Sequence, residues 1–450
     1  MTYAAHELAK FIINTDFDSL PPDVVRIAKE RIADVVGAGL SGSKTQAAKI
    51  VDYVTEVAPA GKATIWGTGK TAAPEYAALA NGTMTFHLEL DDVHRTSHTH
   101  PGVCTVPAAI ALCEEYGLSG KDLITAVVLG YDACIRVGVA VSPSIYVDRT
   151  FLAPGTLGPF GAAAAACKLL KLNEQETAGA IGGASYNAPL SCYESFRLGA
   201  SVKDMIMGWG NFSGITMTRM AQKGFWGPDT SIEGDFGYCK STSDRFDMSR
   251  FYDGLGEVYE IANTGVKPYA CCRQHHAAID CMLDIRRDYN IKLEDVEKVL
   301  VRTFVVSSRG NKKDPAGIPA AKYSIPYIMA VTLEFGKAWR DQFTMELLAD
   351  KRIMNFANIV DVVPDEELDK LYDEKWPSIV EVTLKDGRVL TSRHDIPKGE
   401  PEFPTSTEDM KAKFMSLSGD AKSKEHCEKL WDVIFNIEKQ PNMSALTALL

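Results

Sequence analysis

Residues 86–107, FHLELDDVHRTSHTHPGVCTVP, hold four of the nine histidines of the chain (His87, His94, His98 and His100), and Asp91 and Asp92 stand among them. Carboxylates and imidazoles this close can shift one another's proton affinity across neutrality, which suits proton transfer. Three readings are open for the cluster: general acid/base work, a metal site built on His-x-His plus Asp, or capping and surface roles. Stronger metal signatures, His-Glu-x-x-His or paired Cys-x-x-Cys, are absent from the sequence. His100-Pro101-Gly102 is the sharpest subset. It stands just before a helix expected over 103–116, whose free backbone N–H groups could receive a substrate carboxylate.

Two further strings carry chemistry-bearing side chains. SFRLGASVKD, from Ser195 to Asp204, places Lys203 at the start of an apolar helix. There a lysine is either a solvated first-turn residue or a cation facing a cleft. KPYACCRQHH, from Lys267 to His276, is either a structural turn or a boundary at which Lys267, Arg273 and His275 or His276 line a ligand site. Two nucleotide motifs fail. Gly69-Lys70-Thr71 lacks the glycine that a phosphate loop needs at position 64, which is threonine, and Gly208-Trp209-Gly210 is followed by serine at 213. No nucleotide cofactor is expected.

The elements that must position these residues read as mainly α. Pro21-Pro22-Asp23 opens a helix to about Gly37, and others are expected at 44–57, 73–87, 103–116, 120–141, 156–171, 174–185 and 200–222. Runs such as GPFGAAAAACKLL and AGAIGGASYNA predict helices in close contact. After about residue 264 the pattern changes to a helix at 272–289, a strand at 296–306, a helix near 322–335 and a hairpin over 378–396. Lys385-Asp386-Gly387 turns that hairpin. Pro397 to Pro404 reads as a linker, and Thr405-Ser406-Thr407-Glu408 starts a last helical section, 406–450. The expected organisation is a helical domain over 1–264, a smaller α+β domain over 265–396, and C-terminal helices (397–450) that return to the first.

At 450 residues, 46% hydrophobic and 24% charged, the composition is that of a globular protein of more than one core. A net charge of −11 without a Lys/Arg run argues against a nucleic-acid surface. The apolar run from Leu123 to Ser142 carries Asp132 and Arg136 and reads as a buried helix rather than a membrane span. The N-terminus lacks a basic-then-apolar leader. The ten scattered cysteines suit reduced core positions, so a cytoplasmic protein with neither membrane nor nucleic-acid partner is expected.

Six segments together resemble the MmgE/PrpD family: NGTMTFHLELDDVH (81–94), His100-Pro101, GTLGPFGAAAAACKLL (155–170), SVKDMIMGWGNFSG (201–214), KPYACCRQHH (267–276) and KYSIPY (322–327). The resemblance implies a helical domain built from both chain ends, an inserted α+β lid and a homodimer. It also implies an enzyme acting on a small anionic di- or tricarboxylic acid with no metal or organic cofactor. By that likeness His100 is the active-site histidine, Lys203 the active-site lysine, Asp91 and Asp92 the acidic pair, and Lys267 a second lysine. Two positions depart from the pattern. Thr150-Phe151-Leu152 stands where many relatives carry a Gly-aromatic-His step, and Cys272 stands where animal cis-aconitate decarboxylases carry histidine. The reaction expected first is dehydration of a 2-methylcitrate-like hydroxy acid. His100 would move the proton, oriented by Asp91 or Asp92, and His275 or His276 would serve the leaving hydroxyl. Lys203, Lys267 and Arg273 would hold carboxylates, with His94, His98 and Tyr323 against the substrate. Epimerisation of a dicarboxylate such as iminodisuccinate and decarboxylation of cis-aconitate use the same constellation. A binding protein without activity, or a metal-dependent hydrolase, are the other classes.

Overall fold

The computed structural model describes residues 3–189, 194–197 and 200–450. Cys192, and Leu198 and Gly199 of the Ser195–Asp204 string, lie outside the described residues. The first half is helical, as the apolar spacing predicts. Its principal helices are Pro22–Gly42, Pro74–Phe86, Val106–Tyr116, Gly120–Val141, Ala153–Leu169, Glu174–Tyr186 and Val202–Ala221. Capping boxes at Ser119/Asp122 and Asn173/Glu176 set two of the starts, and proline in the first turn sets four more.

Several boundaries differ from expectation: the helix expected over 156–171 is Ala153–Leu169, that near 322–335 starts at Ile325, that at 272–289 starts at His276, and the strand at 296–306 ends at Thr303. The Pro22 helix continues past Gly37 to Gly42, because its glycines serve packing and not termination. A Cβ on Gly42 would lie 2.0 Å from the Met84 carbonyl oxygen of the neighbouring helix. The 44–57 stretch divides into a 3-10 turn, Gln46–Lys49, and the helix Ile50–Val57. Residues 101–105 are turns, so the next helix starts at Val106 rather than at 103.

Small residues let the helices cross almost backbone to backbone. Val202–Ala221 packs against both Ala153–Leu169 and Pro74–Phe86. At the second crossing a Cβ on Gly208 would stand 2.2 Å from the Leu79 carbonyl oxygen and 2.4 Å from Thr83 Oγ1. Beneath lies Gly120–Val141. Among the described residues it is the one helix long and apolar enough to cross a membrane, and its apolar stretch is entirely buried within the fold. Its charges are satisfied internally. Arg136 Nε donates to Asp132 at 3.0 Å, and the rest of the guanidinium donates to the carbonyls of Phe251, Asp253, Gly254 and Val258.

The second half contains a four-stranded sheet in the order Val360–Pro364, Val296–Thr303, Ser378–Leu384, Val389–His394. The first pair is parallel, with Val299 opposite Val360, and the others are antiparallel. The predicted hairpin forms, with Gly387 at φ 89° in its turn. Helix His276–Tyr289 covers the sheet. Strand Val360–Pro364 and the preceding helix Lys351–Asn358 were not anticipated. Five residues, two of them exposed, carry too little pattern to mark a strand. The last helices, Thr407–Ser418 and Lys424–Phe435, pack on Pro22–Gly42. Ser406 caps the first through the Asp409 N–H, one residue beyond the predicted partner.

Gly208→Val would place a branched side chain where the Leu79 carbonyl now sits. It is expected to cost about 3 kcal/mol or more, read as a lower urea midpoint. An unchanged midpoint would refute the close crossing.

Candidate active site

The histidine-rich segment is shaped by alternation. In Leu88-Glu89-Leu90-Asp91 the two leucines join the core of the α+β part, beside Tyr269, Ile279 and Ile328. Their neighbours Glu89 and Asp91 face the other way. Glu89 achieves this with a left-handed backbone (φ 55°), an uncommon state for a non-glycine residue that the surroundings must enforce. Lys322 Nζ donates to the carbonyls of His87 and Leu88, at 3.1 and 3.0 Å, and Lys413 Nζ donates to that of Leu90. Val93–His94 then pairs antiparallel with Thr264–Gly265, bringing Lys267 to the same place. The acidic segment is therefore tied to the chain on both sides of the change in pattern and to the C-terminal helix.

A buried charge network results. Lys203 Nζ donates to Glu89 Oε1 at 2.9 Å and lies 3.0 Å from Asp204. Lys267 Nζ donates to Glu89 Oε2 at 3.1 Å and stands 3.7 Å from Asp91. Burial works against every one of these charges, but the partners outweigh it. Glu89, beside two ammonium groups and His100, is held well below the usual carboxylate range, and Asp91, beside Lys267 and His100, is lowered too. Glu89 and Asp204 raise Lys203; Asp91 and Glu89 raise Lys267. Both lysines are fixed cations. Lys322 is the exception, lowered to about 8 by burial and by Lys203.

His100 Nδ1 is hydrogen-bonded to Asp91 Oδ2. The carboxylate accepts, so Nδ1 carries the proton and Nε2 is left as the free basic nitrogen. The ring stands edge-on to Phe86, with 5.2 Å between centroids. It borders a narrow cavity of about 60 Å³, which Glu89, Lys267, Cys272, Arg273, Gln274 and His98 share with an apolar side containing Leu152, Tyr146 and Trp376. The two positions that depart from the family pattern, Leu152 and Cys272, thus both line it. Burial pushes the Cys272 thiol up to about 12, which keeps it neutral. Arg273 is aimed by Glu400, which accepts from its Nε and Nη2 at 2.9 and 2.7 Å and also from Arg95 at 3.2 Å.

The four clustered histidines disperse to four partners. His87 bonds Asp204 at 2.7 Å, His94 bonds Ser97 at 2.9 Å, His98 meets Asp373 at 3.3 Å, and His100 takes Asp91. Among the described residues no three His, Cys, Asp or Glu side chains converge on a metal-sized point. Burial and Arg95 lower His94 to about 3, and it borders a separate surface cleft with Arg95 and Glu260. His275 and His276 do not line the cavity. His275 Nδ1 donates to Ser307 Oγ at 3.2 Å, and burial holds its pKa at about 3. His276 accepts from Arg273 at 2.8 Å and donates to the Cys271 carbonyl, so it is locked neutral. Tyr323 packs its ring on His275, 5.1 Å away. Asp92 lies behind the cavity, where its Oδ1 accepts from the Gly102 N–H at 3.2 Å. The nine described cysteines are free thiols, and eight of them are buried.

Sequence reading missed Glu89, Asp204, Lys322, Gln274 and Glu400. Glu89 had a legible signal, the period-two alternation with Asp91 against two leucines. Glu400 had none, since a glutamate in a Pro/Gly linker reads as solvated. The assembled site holds a carboxylate-oriented imidazole, fixed cations and a neutral thiol around the cavity. It can remove a proton from an acid's carbon and stabilise the charge that develops.

Two family models match the chain, the MmgE/PrpD N-terminal domain over residues 6–250 and the MmgE/PrpD C-terminal domain over 269–439. A cis-aconitate decarboxylase-like protein of Aspergillus oryzae is 24% identical, with 99% of this chain and 96% of the relative covered. Human cis-aconitate decarboxylase is 25% identical, with 95% and 90% covered. A mitochondrial 2-methylcitrate dehydratase of Yarrowia lipolytica is 24% identical, with 85% and 77% covered.

Burial, reinforced by Asp91 and Asp34, pushes Asp92 up to about 7. The folded chain keeps this proton between pH about 4 and about 7, where the unfolded chain has lost it. Stability from this group therefore falls as pH rises through that window, and the penalty is complete above it. Asp92→Asn has no proton to lose and can still accept from Gly102. Its melting temperature should gain on that of the unsubstituted protein between pH 5 and pH 8; a constant difference would contradict the assignment.

Proposed function

The chain belongs to the MmgE/PrpD family, and on that footing we propose that it is a cofactor-independent lyase of a small di- or tricarboxylic acid. The reaction placed first is dehydration of a 2-methylcitrate-like hydroxy acid. The observation that carries this reading is the His100–Asp91 pair beside the Glu89–Lys203–Lys267 network at the cavity. His100 Nε2 takes the proton alpha to a carboxylate, and the imidazolium is balanced by Asp91. Lys267 and Arg273, both at the cavity, hold the carboxylate whose electrons take up the developing charge. The C–O bond then breaks as the double bond forms, and His100 returns its proton to the departing hydroxyl as water. This assigns both transfers to one imidazole in place of His275 or His276, which face elsewhere. Gln274, whose side-chain oxygen is buried without a partner beside the cavity, supplies an acceptor for a substrate hydroxyl.

Decarboxylation of an unsaturated tricarboxylate is the second reading, favoured by the relatives matched along nearly the whole chain. There a C–C bond breaks to release carbon dioxide, and the carbanion takes a proton that His100 Nε2 has first taken up from solvent. Epimerisation, the third reading, needs a second group that returns a proton to the opposite face of the carbon.

We further propose a homodimer. Helix Val202–Ala221 buries Lys203 and Asp204 on one face and exposes Val202, Met205, Trp209 and Met220 along the other, at helical spacing. Phe225 and Phe236 are exposed nearby in sequence, at 70% and 98%.

Proton NMR in heavy water, with 2-methylcitrate, citrate, cis-aconitate and iminodisuccinate in turn, tests the reaction. A vinyl signal arising from a hydroxy acid is expected. A product vinyl signal from cis-aconitate with loss of carbon dioxide would move the second reading to first place, and solvent exchange alone would favour an epimerase. His100→Asn should lose 10²–10⁴-fold in kcat while remaining folded; turnover at the unsubstituted rate would sink its role. Trp209→Glu should convert a dimer to a monomer in sedimentation, and an unchanged mass would refute that interface.

A further inference from the structure

A bound polycarboxylic acid brings several negative charges into the cavity, and the buried network beside it has no positive surplus to offer. Around Glu89 the ammonium groups of Lys203 and Lys267 face three carboxylates, those of Glu89, Asp91 and Asp204. Arg273, which also borders the cavity, is held differently. Its Nε and Nη2 both donate to Glu400 Oε1, at 2.9 and 2.7 Å, and its Nη1 donates to the Lys398 carbonyl and to His276 Nδ1, each at 2.8 Å. A guanidinium has five N–H donors, so these bonds leave one, on Nη2, for a substrate.

Glu400 is 1% exposed, and by itself it would cancel the charge of Arg273. Its second oxygen, however, accepts from Arg95 Nη1 at 3.2 Å. Arg95 borders the separate surface cleft, where its Nη2 also donates to Glu402 at 2.6 Å. The Glu402 side chain is 46% exposed, so water screens its charge, whereas Glu400 lies in a medium that screens poorly. Two guanidiniums thus share one buried carboxylate, and the three groups carry a net positive charge, one end of which borders the cavity. The backbone is shaped around this arrangement. A Cβ on Gly265 would stand 2.9 Å from Glu400 Oε1, and one on Gly399 would stand 2.1 Å from the Val266 carbonyl oxygen. Glycine at both positions lets the linker lie against the strand that leads to Lys267.

We propose that Arg95, which does not line the cavity, is a positioning residue for acid binding: by holding Glu400 from its far side it keeps that carboxylate from neutralising Arg273 and fixes the direction of the remaining Nη2–H. This rests on the acid-binding reading of the site. Glu402 acts in the opposite sense, because it draws Arg95 away from Glu400. Loss of the Arg95 charge therefore weakens the binding of an anion at the cavity, and loss of the Glu402 charge strengthens it. A purely structural role for these ion pairs would give a loss in both cases and a gain in neither.

Calorimetric titration of succinate and tricarballylate, which carry no hydroxyl to eliminate, reads this in the full-length protein without turnover. Arg95→Met keeps the aliphatic stem and should bind both acids about tenfold more weakly, within the range of substitutions that act through an intervening group. Arg95→Lys should recover most of that loss. Glu402→Gln should bind about twofold more tightly, and the gain should vanish in the double variant with Arg95→Met, because it acts only through Arg95. Glu402 is at the surface, so its variant decides the matter even if Arg95→Met fails to fold. Unchanged affinity in Arg95→Met, or affinity unchanged or weaker in Glu402→Gln, would overturn the proposal. Turnover seen by NMR with none of these shifts would sink the role of Arg95 alone. The expected shifts with no turnover of any acid would leave that role standing and sink the lyase, and binding of neither acid to the unsubstituted protein would sink both.

Discussion

One buried carboxylate organises the site. Glu89 is shared by two buried lysines that arrive from distant parts of the chain, one at the start of helix Val202–Ala221 and one beyond the strand pair at Thr264–Gly265. None of the three charges would be tolerated alone at such depth, because desolvation of an isolated ion costs several kcal/mol. Together they compensate one another, and the requirement for compensation fixes geometry. If any one of them moved away, the other two would be left unbalanced in a medium that cannot solvate them. The network thus acts as a positional lock, and one of its two cations, Lys267, borders the cavity.

The lock holds because the loop that carries Glu89 is anchored from its other side. Leu88 and Leu90 are buried in the core of the α+β part, while lysines from that part and from the C-terminal helix bond the loop's carbonyls. A backbone with those constraints can sustain the left-handed conformation at Glu89 that a free loop would abandon. The same restraint places Asp91 against His100. An imidazole whose one nitrogen donates to a buried carboxylate has its tautomer and its ring plane settled before substrate arrives, which is the preorganisation proton transfer requires. Helices in near backbone contact, as at Gly208, supply the rigid frame beneath.

Much of the frame was legible along the chain. The boundaries of Gly120–Val141, Glu174–Tyr186 and Val202–Ala221 follow closely from apolar spacing, because that signal is local. Glycine was the ambiguous residue. At Gly37 to Gly42 it reads as a helix stop, yet it serves close approach to another helix, and only the neighbour 2.0 Å from a hypothetical Cβ tells the two apart. The site was partly legible in the same sense. His100 with Asp91, Lys203 and Lys267 do assemble, whereas His94 and His276, alike in type and spacing, face elsewhere.

Residue types, their local periodicity and the order of the motifs determined that this chain forms helices first and an α+β section later, and that its chemistry would centre on acids, imidazoles and lysines. These are properties of short segments, and a segment carries its own pattern. Tertiary structure alone decided which histidine at the cavity pairs with a buried carboxylate, which lysines are fixed cations, and that Glu89 and Glu400 take part at all. Protonation and orientation depend on burial and on partners hundreds of residues away, as Glu400 is from Arg95 and Lys267 from Glu89. Electrostatic energy depends on distance in space and on the local medium, and neither quantity is written in the spacing of letters.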